Sequence, residues 1–303
     1  MNRTESNIVL FSITLCWASS YIFAKNIPAS ISPFAYITMT SGIASLILGI
    51  VFCKKLKGLD KKTLRNSFIL AAINFCNLLL GELGVSQLPA STASFLGSLT
   101  IVFLPLLLLA FKRKLSPNNV VGIVLILMGL IYTSGIKFGD SVSYGFLAMV
   151  ASSLIMAVYI ITVDNFTKIS NPLLLGVGQM FFTTFIGFVL WFIEQPKTFF
   201  TISYTNEILA NIFLLAFFAK AYAYIMLMYS QKYASPISVT VMSSTEPVVT
   251  LVLVLLIPNT FGQTEVITIA QVVGAAFIVV GAICAGTTFL SRKGSSSQRG
   301  LEG

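Results

Sequence analysis

The sequence contains no histidine and very few charged residues. Only 10% of its 303 residues are charged, whereas 56% are hydrophobic, and the mean hydropathy is +0.91. A soluble protein carries about 25% charged residues. The polar surface that a water-soluble domain needs is therefore missing, and the composition predicts an all-α polytopic membrane protein. Without histidine, the usual proton carrier near neutral pH and the commonest metal ligand are both absent.

The cysteines follow no pattern that is typical of a disulfide framework or a metal site. Cys16, Cys53, Cys76 and Cys284 fall in or at the edge of apolar runs, and there is no CxxC motif. We interpret them as small apolar packing residues. The sequence also lacks the GxxxxGK[ST] loop that binds ATP phosphates. We therefore expect neither a metal nor a cofactor.

Ten apolar runs are long enough to cross a membrane. A helix needs about 20 apolar residues to cross a hydrocarbon core of about 30 Å. The runs are separated by short stretches that are rich in turn-forming residues. The predicted spans cover residues 7–26, 33–53, 67–87, 90–111, 118–136, 143–164, 172–194, 207–230, 236–257 and 266–289.

The basic residues are divided unequally between the two sides of this predicted bundle. Ten spans place both termini on one side, which then carries 15 lysine and arginine residues. The other side carries Lys25, Lys137 and Lys197, and Lys220 lies inside the membrane, which accounts for all 19. Because cytoplasmic loops are enriched in basic residues, we predict that both termini are cytoplasmic, in a multi-pass protein of the plasma membrane. The net charge of +9 is thus an orientation signal, and we expect no nucleic-acid partner.

Similar motifs recur in the two halves of the chain. "VSQLPAS" (85–91) matches "YSQKYAS" (229–235), and "VVGIVLILMGLI" (120–131) matches "VVGAAFIVVGAI" (272–283). In the same register, Pro33 pairs with Pro172 and Ala18 with Ala157. Because five spans are an odd number, the two copies have opposite orientations, as is typical of secondary transporters with a substrate site near the midplane. We predict a 5+5 inverted repeat at 1–139 and 140–290, followed by a flexible cytoplasmic tail at 291–303.

Several stretches resemble the drug/metabolite transporter superfamily, in particular its EamA-type ten-helix members. They include "CWASSYIFAK" (16–25), "SPFAYITMTSG" (32–42), "GFLAMVASSLIMAVYIITVDN" (145–165) and the regions 92–130 and 243–283. This resemblance implies a transporter that works by alternating access, not an enzyme. It also implies a central cavity that is lined largely by the third, fourth, eighth and ninth spans.

Two opposite charges lie near the middle of neighbouring spans. Lys220 is central in the eighth span and Glu246 in the ninth, at matching depth. A cation at the bilayer centre costs at least ~2.5–3.5 kcal/mol, and opposite charges attract strongly in a low dielectric. We therefore predict that both face one cavity, where they contact substrate. The alternative is a structural ion pair that ties two helices together.

Polar and aromatic neighbours extend this predicted substrate site. Ser243 and Thr250 flank the glutamate at helical spacing and continue a polar stripe. Phe217 and Tyr224 lie at i−3 and i+4 from the lysine, which places all three on one face of an α-helix. Aromatic rings beside a cation can pack on a planar or ammonium-bearing substrate.

Other spans contribute further candidate residues. Glu82 and Asn77 form a predicted stripe towards the outer mouth; a carboxylate that reaches the outer interface is the alternative for Glu82. Gln179 is a candidate for the inner vestibule or for interhelical hydrogen bonding. Pro247 and Pro105 are candidate hinges, because a proline frees a backbone carbonyl one turn back and kinks the helix. A mere kink is the alternative for both prolines.

A cation and an anion at one depth suit a zwitterionic substrate. Lys220 matches a carboxylate and Glu246 an ammonium, so we predict a secondary transporter of an amino acid or related metabolite, with export favoured. The alternatives are a nucleoside-like or nucleotide-derived metabolite and a lipophilic drug. Without a site for ATP, gradients must drive transport. Proton coupling must run through Glu246 or Glu82, and uncoupled exchange is the alternative. The partners are the substrate and the bilayer, and the protein acts as a monomer or homodimer.

A membrane enzyme is the rival from another class, and the sequence disfavours it. Such an enzyme needs acid, base or metal-ligating groups clustered near one interface. Near the inner face, Asp164 beside Asn165 is the carboxylate with polar company, and we predict that it lacks partners.

Overall fold

The computed structural model describes residues 3–28, 30–110, 112, 115–133, 143–202, 204–257 and 267–286, and their regular secondary structure is helical throughout. This confirms the predicted all-α class. The helices are α1 Arg3–Lys25, α2 Pro33–Val51, α3 Cys53–Leu56, α4 Lys61–Gln87, α5 Ala90–Gly97, α6 Thr100–Ala110, α7 Pro117–Thr133, α8 Tyr144–Thr167, α9 Pro172–Glu194, α10 Thr198–Thr201, α11 Asn206–Leu214, the π-helix π1 Leu215–Tyr222, α12 Ala223–Gln231, α13 Pro236–Ser243, α14 Glu246–Leu256 and α15 Ile269–Gly286.

Eight helical stretches of the described chain are long and apolar enough to cross a membrane, and α7 and α15 are shorter apolar helices. Five of the eight are α1, α2, α4, α8 and α9, and three are composite: α5 with α6, α11 with π1 and α12, and α13 with α14. α4 begins before the predicted third span because its first turn is polar and is capped by Asp60, whose carboxylate accepts from Thr63 N at 3.1 Å. The predicted ends at 111, 134–136, 266 and 287–289 lie outside the described residues.

The fourth and ninth spans are broken at equivalent positions. Each consists of an 8-residue helix followed by an 11-residue helix. At the breaks, backbone hydrogen bonds of the i→i−3 type replace the α pattern, from Leu99 N to Leu96 O and from Thr245 N to Met242 O, both 3.1 Å. α5 packs against α14, and α6 packs against α13. Equivalent segments of the two halves therefore run in opposite directions, as an inverted repeat requires.

The two prolines that were candidate hinges hold different positions relative to these breaks. Pro247 lies in the first turn of α14, directly after the break in the ninth span. Pro105 lies inside α6, and the break in its span comes earlier, at 98–99. There, Ser98 Oγ donates to Ser94 O at 3.1 Å and Thr100 Oγ1 donates to Gly97 O at 2.9 Å. Such side-chain bonds compete with the helical pattern, so hydroxyl residues accompany this break. Hinge motion at either proline stays a prediction.

Glycines bring α7 and α15 into close backbone contact. A Cβ atom added at Gly122 would lie 2.5 Å from Gly281 O, and one added at Gly129 would lie 2.6 Å from Gly274 O. Small residues at such positions let membrane helices approach closely. The glycines that recur at the same spacing in both halves therefore form one antiparallel helix contact.

We expect Gly129→Ala to destabilise the protein. Alanine is favoured over glycine within helices by about 0.8–1 kcal/mol, but its methyl group would collide with α15, and overpacking costs about 1–3 kcal/mol. Gly49→Ala is the matched control, because within the described residues no atom outside its own stretch of helix lies within 4 Å of a Cβ atom there. Thermal unfolding in detergent compares the two. A lower midpoint for Gly129→Ala alone is expected, and equal midpoints would contradict the close contact.

Candidate functional site

A cavity of about 150 Å³ with charged and polar residues in its wall lies between the helices of the bundle. It is lined by the C-terminal halves of α1 and α4, the start of α2, the breaks in the fourth and ninth spans, α8 and π1. It therefore lies towards the end of the bundle at which α1 and α4 end. Its charged residues are Glu82, Lys220 and Glu246, its aromatic residues are Trp17, Tyr21, Tyr36 and Tyr224, and its polar residues include Ser20, Asn77, Ser98, Thr100, Ser152, Ser153, Thr240, Ser243 and Ser244.

The charged side chains of the cavity do not pair directly. Lys220 is 4% exposed and Glu246 is 7% exposed. Among the described residues, no carboxylate oxygen lies within 4.0 Å of Lys220 Nζ. The lysine interacts electrostatically with Glu82 across the cavity, and its Nζ lies 5.7 Å from the ring centroid of Tyr224. The structure thus brings Lys220 and Glu246 into one cavity, but it does not join them in an ion pair that ties helices together.

The break in the ninth span explains how a buried carboxylate is accommodated at Glu246. This residue is the first of α14, whose start has no side-chain cap. The helix dipole makes a helix N-terminus favourable for a negative charge. Ser243, one turn earlier, lines the same cavity. A glutamate in the middle of an apolar span therefore faces a local positive end.

Lys220 is held by the π-helix, and this corrects the prediction for Phe217. A π-helix has i→i+5 hydrogen bonds and is often found at functional sites. Its wider turn places residues four and five positions away on the same face, and Ala216 and Leu215 are accordingly buried. Phe217 is 40% exposed on the outer surface. The α-helical spacing rule was therefore wrong for Phe217, whereas Tyr224 at i+4 does line the cavity.

Aromatic rings from three helices surround the lysine side of the cavity. The ring of Tyr224 lies edge-on to Trp17 at 5.7 Å and to Tyr159 at 5.9 Å. Sequence reasoning identified Tyr224 but missed Trp17, Tyr21 and Tyr36 as lining residues. The mixture of Trp17 with serines in an otherwise apolar first span was the available signal. Distance along the chain hid the contact, because α1 meets π1 and α12 only in the fold.

Asn77 and Glu82 line the cavity from α4, as part of the stripe that the sequence suggested. Ser152 Oγ donates to Asn77 Oδ1 at 2.9 Å and fixes that amide against α8. Lys25 Nζ donates to Val85 O and Ser86 O, both at 3.2 Å, at the C-terminal end of α4. Glu82 interacts electrostatically with both Lys220 and Lys25, and the interaction with Lys220 is the larger of the two.

Two other residues that were predicted for the site do not line the cavity. Thr250 is fully buried, and its Oγ1 donates to Ala18 O at 3.4 Å. Gln179 is also fully buried, and its Oε1 accepts from Tyr159 Oη at 2.9 Å, which is the interhelical alternative.

The prediction that Asp164 lacks partners was wrong, because its Oδ2 accepts from Lys168 Nζ at 2.8 Å. This i,i+4 pair was readable from the sequence spacing.

Thiol chemistry tests the lining of the cavity. With all four native cysteines replaced, we expect Ser20→Cys to react with a charged methanethiosulfonate at least about tenfold faster than Thr250→Cys or Phe217→Cys. The reagent needs a hydrated thiolate, which the cavity offers and buried or outward-facing positions do not. The rates are followed by mass spectrometry. Equal rates at all three positions would show that the cavity is not water-accessible.

Comparisons with known proteins agree with this architecture. The model of the EamA-like transporter family matches residues 5–135 and 143–287. A protein of Archaeoglobus fulgidus named "uncharacterized transporter" is 25% identical over 252 residues, which is 82% of this chain and 76% of that protein. A solved crystal structure has a TM-score of 0.75 at 17% identity and covers 96% of this chain and 99% of its own, which shows a shared fold. The chain belongs to the EamA-like transporter family and is a multi-pass membrane transporter of the drug/metabolite transporter type.

Proposed function

We propose that the protein is a secondary transporter that exports a small zwitterionic metabolite, an amino acid or a close relative. The observation that supports this proposal is the cavity, in which Lys220 faces carboxylates without a direct ion pair among the described residues. A buried charge without a partner is strongly unfavourable. A zwitterion offers both missing partners at once, since its carboxylate meets Lys220 and its ammonium meets Glu246 or Glu82.

The aromatic wall and the size of the cavity support a small substrate. An ammonium group gains about 0.5–2 kcal/mol over an aromatic face, and Trp17, Tyr21 and Tyr36 line the cavity. A cavity of about 150 Å³ holds a molecule of roughly the size of benzene, which suits the smaller amino acids. A nucleotide-derived metabolite needs more room, and a lipophilic drug does not need two carboxylates. The amino-acid hypothesis is therefore favoured over both alternatives.

Transport proceeds by alternating access between two five-helix repeats, 1–139 and 140–290, in the plasma membrane. With both termini cytoplasmic, the cavity lies towards the external end of the bundle. Breaks at the substrate site give α5, α6, α13 and α14 ends that can move separately, and Pro247 and Pro105 are candidate hinges. Proton coupling through Glu246 or Glu82 and uncoupled exchange both fit this arrangement, in a monomer or a homodimer.

Flux through proteoliposomes tests the proposed function. We expect the wild type to move one or more neutral amino acids, and Lys220→Met and Glu246→Gln each to reduce that flux at least about tenfold. Removing one partner of a buried charged interaction costs about 2–5 kcal/mol. The assay screens amino acids and nucleosides and is paired with thermal unfolding, so that loss of folded protein is separated from loss of transport.

Two surface variants are the matched controls for this assay. Lys54→Met and Glu194→Gln remove the same charges at exposed positions, and we expect full flux from both. If the cavity variants transport as well as these controls, the charged cavity is not the substrate site. If wild-type protein moves nucleosides but no amino acid, the substrate class is wrong while transport itself stands.

A further inference from the structure

Four polar side chains lie fully buried beside the cavity and are not part of its lining. Ser41 in α2, Asn74 in α4, and Gln179 and Thr183 in α9 each have 0% exposure. Within the described part of the chain, each has a polar atom with no hydrogen-bond partner at 3.5 Å or closer: Ser41 Oγ, Asn74 Nδ2, Gln179 Nε2 and Thr183 Oγ1. The Asn74 side chain nevertheless lies near the hydroxyl group of Tyr224, which lines the cavity. We call these four residues the buried polar layer.

Unpartnered polar atoms are unusual in a protein interior. About 90% or more of buried polar groups make a hydrogen bond, and each one that does not costs about 1–3 kcal/mol. Four such atoms on three adjacent helices destabilise this packed arrangement. Opening this part of the bundle would relieve that cost, because the same atoms would then bind water or a polar ligand.

Contacts between neighbouring residues place the buried polar layer at one level of the bundle. Gly42 of α2 packs against Thr184 of α9, and Gly187 of α9 packs against Phe75 of α4. Ser41 directly precedes Gly42, and Asn74 directly precedes Phe75. In the same way, Thr183 directly precedes Thr184. All four therefore lie within about one to two helical turns of one another, at about 5.4 Å per turn.

Two hydrogen-bonded links connect the buried polar layer to the cavity. Asn77, which lines the cavity, donates from its Nδ2 to Asn74 Oδ1 at 3.5 Å. Tyr159 Oη donates to Gln179 Oε1 at 2.9 Å, and its ring packs edge-on against the cavity residue Tyr224. The layer is therefore the continuation of the cavity floor in the direction of the N-terminal ends of α4 and α9.

At the layer and beyond it, side chains that donate to backbone carbonyls of neighbouring helices close the bundle. Ser67 Oγ donates to Leu175 O at 3.2 Å, and Gln231 Nε2 donates to Ile160 O at 3.0 Å. Gln231 Oε1 is itself buried without a partner. Such bonds can be exchanged for bonds to water at little net cost. These two contacts therefore form a polar seal between neutral groups.

We propose that the buried polar layer is the closed second half of the substrate path, a neutral hydrogen-bonding transit site for the zwitterion. The inference rests on the proposed function and adds the path by which the substrate is released. The layer holds amides and hydroxyls but no charge, so it binds the carboxylate and ammonium groups less tightly than the charged cavity does. A substrate that enters the layer is consequently released through the seal.

Cysteine accessibility from each membrane face tests this path. In a cysteine-free background reconstituted in liposomes, Thr183→Cys and Ser41→Cys are exposed to a positively charged methanethiosulfonate. Ile126→Cys is the matched control, because Ile126 is also 0% exposed but lies in the apolar contact with α15. We expect both layer positions to react at least about tenfold faster than the control from the face of the α4 N-terminus, and faster still with a transported amino acid present.

Equal rates at the layer and control positions, or reaction only from the cavity side, would overturn the proposal.

Thr183→Val adds a second readout, since it removes one unpartnered atom at nearly constant shape. We expect it to raise the unfolding temperature and to slow the labelling of Ser41→Cys several-fold, because the closed state is favoured. A purely structural role predicts the stabilisation without slower labelling. Labelling without any amino-acid flux would refute the substrate class and leave the path standing.

Discussion

The fold depends on holding charged side chains inside an apolar bundle without pairing them. Lys220 and Glu246 are buried, and Glu82 faces them across a cavity that is lined by hydroxyl, amide and aromatic groups. Charges in such a setting are tolerated only when dipoles or partners compensate them. The protein supplies dipoles and leaves the charges apart. A ligand with both charges can then complete the interactions that the side chains do not make with each other.

Irregular helices provide the compensation that regular helices cannot. The break before α14 places a helix N-terminus at Glu246, and the π-helix turns Lys220 towards the cavity while Phe217 turns outwards. The equivalent break at 98–99 brings Ser98 and Thr100 to the opposite wall. Regular packing is found away from the site, where α7 and α15 meet through glycines. The irregular helix segments therefore lie at the proposed substrate site.

The sequence predicted the features that depend on local chemistry. An apolar context made Lys220 and Glu246 conspicuous, and recurring glycines at 122, 129, 274 and 281 marked a repeat that the structure explains as one helix contact. It could not predict features that depend on register or on distant contacts. The sequence analysis placed Phe217 on the same face as Lys220, because no residue pattern indicated the π-helix. Trp17 and Tyr36 were missed because their approach to the cavity is set by packing between spans that are far apart in the chain.

The central claim is that the cavity binds both charged ends of a zwitterion. Equilibrium binding to the purified wild-type protein tests this claim most directly. Calorimetry would compare a transported amino acid with its decarboxylated amine and with the carboxylic acid that lacks the amino group. If Lys220 and the cavity carboxylates each bind one end, both analogues bind at least about tenfold more weakly than the amino acid. If the amine binds as tightly as the amino acid, the cavity recognises a cation alone, and the account of Lys220 is wrong.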